Sequence, residues 1–343
     1  MKILVATDAW HPQLNGVVRS LTQTARAAMK FGVEFAFLTP DRFPSIPLPL
    51  YPDVPIALAT TGDIGRAVEE FEPEAIHIAT EGPLGWLVRR WCISNERNFT
   101  TSFTTRFPEY LAVRLPIPKS WSYAALRHFH EPATVTMVST PRLMEDLTKR
   151  GFARLGYWTR GVDTELFRPE RAIKFNLPRP IFLSVGRLAI EKNLEAFLAL
   201  DLPGSKIVIG KGPQREELRR RFPTAHFLGP LYDENLAAHI AAADAFVFPS
   251  RTDTYGVVQL EALACGVPVA AYPVPGPLDV IGNHPVGILD QDLRAACIAA
   301  LSVSRTACRE FALSRSWDVC ARQFVSLVSQ VAIGDYKIKR LPN

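Results

Sequence analysis

Two acids, Asp253 and Glu261, stand eight positions apart, with Gly256 between them, in a stretch that runs from the apolar segment Ala245 to Phe248 to a stop at Gly266. The pattern reads as a short strand, a polar loop that turns at Gly256, and a helix carrying Glu261. The first turn of a helix has N–H groups without partners and the positive end of the helix dipole, so it favours phosphate. Thr254, Tyr255, Gly256 and Val257 would supply such groups. A carboxylate accepts hydroxyls well, and a Glu in the early turns of that helix can face a ligand held at its start. The ligand so described is anionic at one end and hydroxyl-rich at the other, as a nucleotide-sugar is. The plainer alternative makes Asp253 a helix-entry acid and Glu261 a solvated one. Arg187 and Lys192 follow the apolar run Ile181 to Val185. They either stabilise a departing nucleoside diphosphate in place of a metal ion or form a surface pair.

The elements that must position these residues show as an alternation. Ile3 to Thr7, Phe35 to Thr39 and Ala75 to Ala79 read as buried strands, separated by helical patterns at Val17 to Lys30 and Ile64 to Phe71. The cadence resumes at Ile181 to Val185 and continues through Lys206 to Ile209, Ala245 to Phe248 and Val269 to Ala271. Helical patterns at Glu195 to Leu200, Arg215 to Phe222 and Leu236 to Ala242 fall between them. The expected fold is α/β, with two domains: 1–168, joined by a long C-terminal helix from about 317, and 169–316. Phe167 to Glu170 and Pro178 to Pro180 read as the linker, and the proline-rich stretch Phe43 to Pro55 as an irregular surface excursion. Parallel sheets bind ligands at the carboxyl ends of their strands, so two facing domains would share a cleft between them.

Composition removes several classes. The net charge is +5 and acids interleave with bases in both halves, which is a mild bias and not a nucleic-acid-binding tail. No aromatic-basic β platform or major-groove helix motif appears, and no G-x-G-x-x-G follows the first strand, which speaks against a nucleic-acid binder and a dehydrogenase. Five cysteines without a C-x-x-C pair read as reduced structural thiols of a cytosolic protein. No apolar stretch reaches the roughly 18 to 20 residues of a spanning helix, and Met1 to Asp8 reads as a strand, not a signal peptide.

Taken in order, several segments resemble the retaining nucleotide-sugar glycosyltransferases of family 4, which have the GT-B fold of two facing Rossmann-like domains. They are Asp8 to Val17, Arg160 to Phe167, Val185 to Leu194, Gly210 to Pro213, Phe227 to Gly229 and Pro249 to Val269. The resemblance makes the acid pair the family's E-x7-E pattern with its first Glu shortened to Asp253, a change that moves the oxygens about 1.5 Å. It gives Glu261 the ribose hydroxyls and Asp253 the donor sugar's hydroxyls. It also makes Gly16 the first-loop glycine where backbone N–H approaches phosphate, against the alternative of a simple turn glycine. Many relatives carry His-Thr where this chain has Thr104-Thr105, so the His beside the reacting sugar is missing. A front-face mechanism, in which the leaving phosphate takes the acceptor proton, does not strictly require that base. His77 on its strand reads as a core residue, and Glu81 as an acceptor-site candidate beside Thr104.

Within the family, Thr80 to Gly85, Arg251 to Gly256 and Pro275 to Val280 are most similar to bacterial diacylglycerol glycosyltransferases, glucuronosyl- and glucosyl-diacylglycerol synthases among them. The implied activity is transfer of a hexose or hexuronic acid, with retention and without metal or cofactor, from a nucleotide-sugar, UDP-linked by preference, to a lipid acceptor. Two stretches, Trp86 to Trp91 and Lys119 to His130, mix aromatic and basic residues. Either they lie peripherally on an anionic membrane surface at the cytoplasmic face, or their rings are core and their cations a solvated edge. Two other functions stay open: a GDP-mannose-dependent mannosyltransferase on another acceptor, and a sugar-nucleotide-binding protein impaired by Thr104.

Overall fold

A computed structural model describes residues 1–10, 16–48, 51–104, 108, 118–251 and 255–334. The chain divides into two compact units, Met1–Arg160 with the C-terminal stretch from Trp317, and Gly161–Ser316. The first boundary lies ahead of the expected 168/169 because the segment from Val162 already belongs to the second unit. Val162 N donates to Arg315 O at 3.0 Å, and Phe167 is buried in that unit's core.

In the first unit, β1 (Lys2–Ala6), α1 (Gly16–Met29), β2 (Glu34–Leu38), β3 (Ser45–Leu48), β4 (Tyr51–Ala57), α2 (Thr61–Phe71) and β5 (Ala75–Ile78) follow one another. Then come α3 (Pro83–Ser94), β6 (Thr100–Phe103), α4 (Lys119–His130), β7 (Thr136–Val138), α5 (Pro141–Lys149) and β8 (Leu155–Tyr157). The parallel sheet has the order β2-β1-β5-β6-β7-β8. Successive β1 residues feed opposite faces: Ile3 and Val5 enter one cluster with Ala75 and Leu21, Leu4 and Ala6 another with Ile76, Ile78 and Leu84. Helix cover on both faces is why the strand reads as an unbroken apolar run. The described part of the proline-rich stretch, expected to be irregular, contains two strands. β3 and β4 pair antiparallel, with Ile46 opposite Ile56 and Pro47 opposite Pro55, a two-stranded ribbon apart from the main sheet, where proline costs few ladder bonds.

The second unit contains β9 (Ile181–Val185), α6 (Leu194–Leu198), β10 (Ser205–Ile209), α7 (Arg215–Arg221), β11 (His226–Gly229), α8 (Asp233–Ala241) and β12 (Ala245–Phe248). It continues with α9 (Val257–Ala264), β13 (Val269–Ala271), α10 (Pro275–Val280), β14 (Gly287–Leu289), α11 (Leu293–Ala300) and α12 (Arg305–Leu313). Its parallel sheet has the order β11-β10-β9-β12-β13-β14, again with alternating burial: Ile181 and Leu183 to one cluster, Phe182 to the other.

The last helix, α13 (Trp317–Gly334), completes the first unit. Phe324 is fully buried there, 4.9 Å from the His77 ring and 5.0 Å from Trp158, and Trp158 Nε1 donates to Cys320 Sγ at 3.1 Å. All five cysteines are buried, and burial pushes the Cys92, Cys265, Cys297 and Cys308 thiols up to about 12, so they stay protonated. No helix among the described residues is long and apolar enough to cross a membrane.

Candidate functional site

Each sheet reverses its strand order once, between β1 and β5 in the first unit and between β9 and β12 in the second. A ligand crevice opens at the carboxyl ends of the strands at such a point. Glu81 falls after β5 at the first of these places, Arg187, Lys192, Tyr255 and Gly256 fall after β9 and β12 at the second, and Thr104 follows β6, one strand further along.

In the second unit, Arg187 and Lys192 lie on the loop leaving β9, the arginine exposed and the lysine half-buried. That loop is fastened to the one leaving β12: Asn193 Nδ2 donates to Pro249 O at 3.1 Å, and Ser250 Oγ donates to Glu191 O at 3.1 Å. The two bonds hold the Glu191–Asn193 turn beside the approach to α9. Neither Asn193 nor Ser250 was expected from the sequence, since an amide and a hydroxyl in loops carry no periodic signal.

Gly256 is the N-cap of α9, with φ 74° and ψ 65°. A Cβ there would lie 2.7 Å from Gln259 Nε2 and 2.8 Å from Phe248 Cζ, so both the left-handed backbone and the packing require glycine. Gln259 is itself buried, and its Nε2 donates to Tyr255 O at 3.0 Å, pinning the turn from inside. Tyr255 is 7% exposed and its ring packs in the core, which leaves only its backbone for a ligand. No side chain of the described residues caps α9, and its first turn, opening at Val257, has no acid. Its N-terminal N–H groups are thus not occupied by a charge of the chain's own among the described residues. Glu261, expected either at the ligand or in solvent, is 1% exposed, which rules out the solvated alternative. Asp253 and Thr254 lie outside the described residues.

The first unit's switch point is assembled differently. Asp8, just past β1, is buried, and its carboxylate accepts from Leu84 N at 2.8 Å, Gly85 N at 3.2 Å and Thr80 Oγ1 at 2.8 Å. It therefore caps α3 from another strand. Gly82 makes the approach possible, because a Cβ there would lie 2.4 Å from the Asp8 carboxyl carbon. Burial pushes the Asp8 carboxyl above its usual range; the bonds from Leu84, Thr80 and Gly85 pull it back, and the Glu81 charge pushes it up again.

Glu81 follows β5 with its side chain 2% exposed, and its Oε1 meets His130 Nε2 at 3.2 Å. His130 Nδ1 pairs with Thr101 Oγ1 at 2.8 Å. Sequence reading singled out Glu81 and missed His130, whose place at the end of α4 gives no signal until the sheet brings β6 beside it. Thr104 follows β6, and its Oγ1 is buried without a partner among the described residues. His77 is a core residue: it bonds Thr100 Oγ1 at 2.8 Å and Ser102 Oγ at 3.2 Å. Burial, helped by the charges of Arg160 and His130, pushes its pKa down to about 3. Gly16 begins α1 with open space where a Cβ would stand, so nothing in the described chain demands glycine there.

The aromatic-basic stretches divide between the two readings. Tyr123 and Phe129 are core, and Arg89 is committed, donating to Phe129 O at 2.9 Å and His128 O at 2.8 Å. Trp121 is 72% exposed, Ile93 47% and Trp86 36%. Along α3 runs an open groove of about 470 Å³ lined by Pro83, Trp86, Leu87, Arg90 and Ile93.

Residues 14–166 match the family described as Glycosyltransferase Family 4, and residues 168–292 match Glycosyl transferases group 1. A GDP-mannose-dependent alpha-mannosyltransferase of Mycobacterium tuberculosis is 29% identical over 359 residues, covering 93% of this chain and 94% of that protein. An alpha-monoglucosyldiacylglycerol synthase of Streptococcus pneumoniae is 25% identical over 348 residues, 88% of this chain and 78% of that one. Among solved structures, sucrose-phosphate synthase from Thermosynechococcus elongatus superposes with a TM-score of 0.77 at 21% identity, covering 97% of this chain and 99% of the other.

Proposed function

Because this chain belongs to the glycosyltransferases of the GT-B type, with a family 4 half and a group 1 half, we propose that it transfers a hexosyl or hexuronosyl group from a nucleoside-diphosphate sugar to a lipid alcohol of the diacylglycerol kind. The observation that carries the donor half is the start of α9. A helix N-terminus set by Gly256 with no acid in its first turn, a buried Glu261 behind it and the fastened Arg187–Lys192 loop support a site for a diphosphate next to a ribose. In this reading Glu261 accepts the ribose hydroxyls, and the N–H groups of Tyr255, Gly256 and Val257 face the diphosphate. Arg187 and Lys192 neutralise the charge that develops on the diphosphate as the glycosidic bond breaks. Asp253 and Thr254 keep their roles at the donor sugar and at the phosphate, Gly16 keeps its approach to phosphate, and transfer proceeds with retention and without a metal ion.

The lipid half rests on two supports. One is the similarity to a diacylglycerol glucosyltransferase by name. The other is the face of α3, where Pro83, close behind Glu81, opens a groove that reaches Ile93 over about 15 Å of helix. With Trp121 and Arg90 exposed, this face suits an interface with anionic headgroups, on which the protein would lie peripherally at the cytoplasmic side.

A second donor reading, GDP-mannose, is favoured by the mannosyltransferase relative that spans nearly the whole chain. Expression in a host without glycolipids, followed by lipid mass analysis and assays with UDP-glucose, UDP-glucuronate and GDP-mannose in EDTA, tests both. A new lipid heavier by one hexose or hexuronic acid is expected. A soluble glycoside as the sole product counts against the lipid acceptor, and loss in EDTA restored by magnesium counts against metal independence.

A further inference from the structure

Glu81 is held in a way that its neighbour Asp8 is not. Three donors serve the Asp8 carboxylate, whereas Glu81 has one oxygen on His130 and the other, Oε2, buried with no hydrogen-bond partner among the described residues. A buried carboxylate oxygen without a donor is costly, and native structures retain such a group where a ligand completes it. The next strand supplies a companion: β6 lies beside β5, and Thr104, at its carboxyl end, also has a buried, unpartnered Oγ1 among the described residues. His130 bridges the two strands, bonding Thr101 of β6 through Nδ1 and Glu81 through Nε2. The charge here is negative. Asp8 and Glu81 feel each other, and neither is paired with a lysine or arginine among the described residues.

We infer that Glu81 Oε2 and Thr104 Oγ1, at the carboxyl ends of β5 and β6, form the subsite for the acceptor's reacting hydroxyl, that His130 is the positioning residue for Glu81, and that the subsite admits an uncharged alcohol and rejects one with phosphate beside the reacting carbon. This rests on the reading of the chain as a transferase to a lipid alcohol and narrows it. The carboxylate accepts from the hydroxyl, and the threonine Oγ1–H donates to a lone pair of the same hydroxyl oxygen. An anionic acceptor would bring its charge against two carboxylates, neither of them paired with a lysine or arginine among the described residues.

The test measures transfer to dioctanoylglycerol, to dioctanoyl phosphatidylinositol and to free glucose, with nucleoside diphosphate affinity and the thermal midpoint followed alongside. Glu81→Gln is expected to raise the KM for dioctanoylglycerol about tenfold or more, the loss of one hydrogen bond to a charged group. Nucleoside diphosphate affinity should change by less than about twofold. His130→Leu should reproduce that rise, while His130→Gln, which can still donate to Glu81, should recover most of it. Thr104→Val, which leaves the buried Glu81–His130 contact intact, should raise KM about threefold to tenfold and covers the case in which Glu81→Gln does not fold. Unchanged KM in both Glu81→Gln and Thr104→Val overturns the subsite, as does wild-type preference for phosphatidylinositol, which leaves the lipid reading standing. Transfer to glucose alone, with KM still responding to Glu81→Gln and Thr104→Val, overturns the lipid reading and supports the subsite.

Discussion

At the β1/β5 switch point the start of α3 is filled by the chain's own Asp8, whereas at β9/β12 α9 has Gly256 as its N-cap and no acid in its first turn. The second residue past the first strand of each sheet is Asp8 in one unit and Arg187 in the other. The first unit has turned its helix dipole inward, spending it on a buried carboxylate that ties β1, Thr80 and α3 together. In the second, Arg187 and Lys192 lie on the loop leaving β9, which is fastened to the approach to α9 through Asn193 and Ser250. Two sheets of the same topology thus differ at the helix start beside the switch point, one filled by the chain's own carboxylate and one without an acid in its first turn, and the choice comes down to a few side chains at the strand ends.

Changing those side chains should show the difference, beginning with the largest effect. Glu261→Ala should cut kcat/KM about 100-fold or more, because a buried carboxylate accepting two hydroxyls is lost. Calorimetric titration with UDP and GDP reads the binding part, and unchanged affinity for both would break the assignment. Asp8→Ala should lower stability by about 3 kcal/mol in urea unfolding, since Leu84 N, Gly85 N and Thr80 Oγ1 lose their acceptor, and should leave nucleotide affinity within about twofold. The reverse outcome, with affinity lost and stability kept, would erase the contrast between the units.

His77 sharpens it further on the first unit's side. Its folded pKa, about 3, lies below the ordinary 6.5, so the unfolded chain takes up a proton that the folded chain refuses. The neutral-histidine contribution is fully present above pH 6.5 and falls by about 1.4 kcal/mol for each pH unit between 6.5 and about 3. Stability curves of wild type and His77→Gln should converge as pH falls through that window, and parallel curves would count against a buried neutral imidazole. The smallest effect belongs to Gly16→Ala, which should change stability by less than about 0.5 kcal/mol because the site is open. A drop in turnover at unchanged stability would then mean that the ligand itself needs the space.

The sequence made the doubly covered strands legible, because β1, β5, β9 and β12 are apolar on both faces and so appear as continuous runs. It hid β6, whose Thr100, Thr101 and Ser102 are polar yet buried. Their hydroxyls are spent on His77, His130, Thr136 and a backbone carbonyl, pairings that exist only once the sheet has formed. It hid the β3–β4 hairpin behind prolines that argue against a strand. At the site, Gly256 and Glu261 were readable from spacing, whereas the Glu81–His130 contact joins residues from separate elements, and no local pattern encodes it. The role of Asp8 was within reach: Gly82 and Gly85 flank Pro83, and small residues around a helix start signal that another group comes close.

The return of α13 to the first unit has a consequence for how the chain is made. Gly161–Ser316 is bounded by the bridge between Val162 and Ser316, so the second unit has all its parts once residue 316 has emerged from the ribosome. At that moment the first unit, though translated earlier, still lacks Trp317, Phe324 and Val328 from the core that packs over Ile3, Val5 and Trp158. Synthesis from the N-terminus therefore completes the two units in the reverse of their written order, and the nascent chain carries one open apolar face until its last helix arrives.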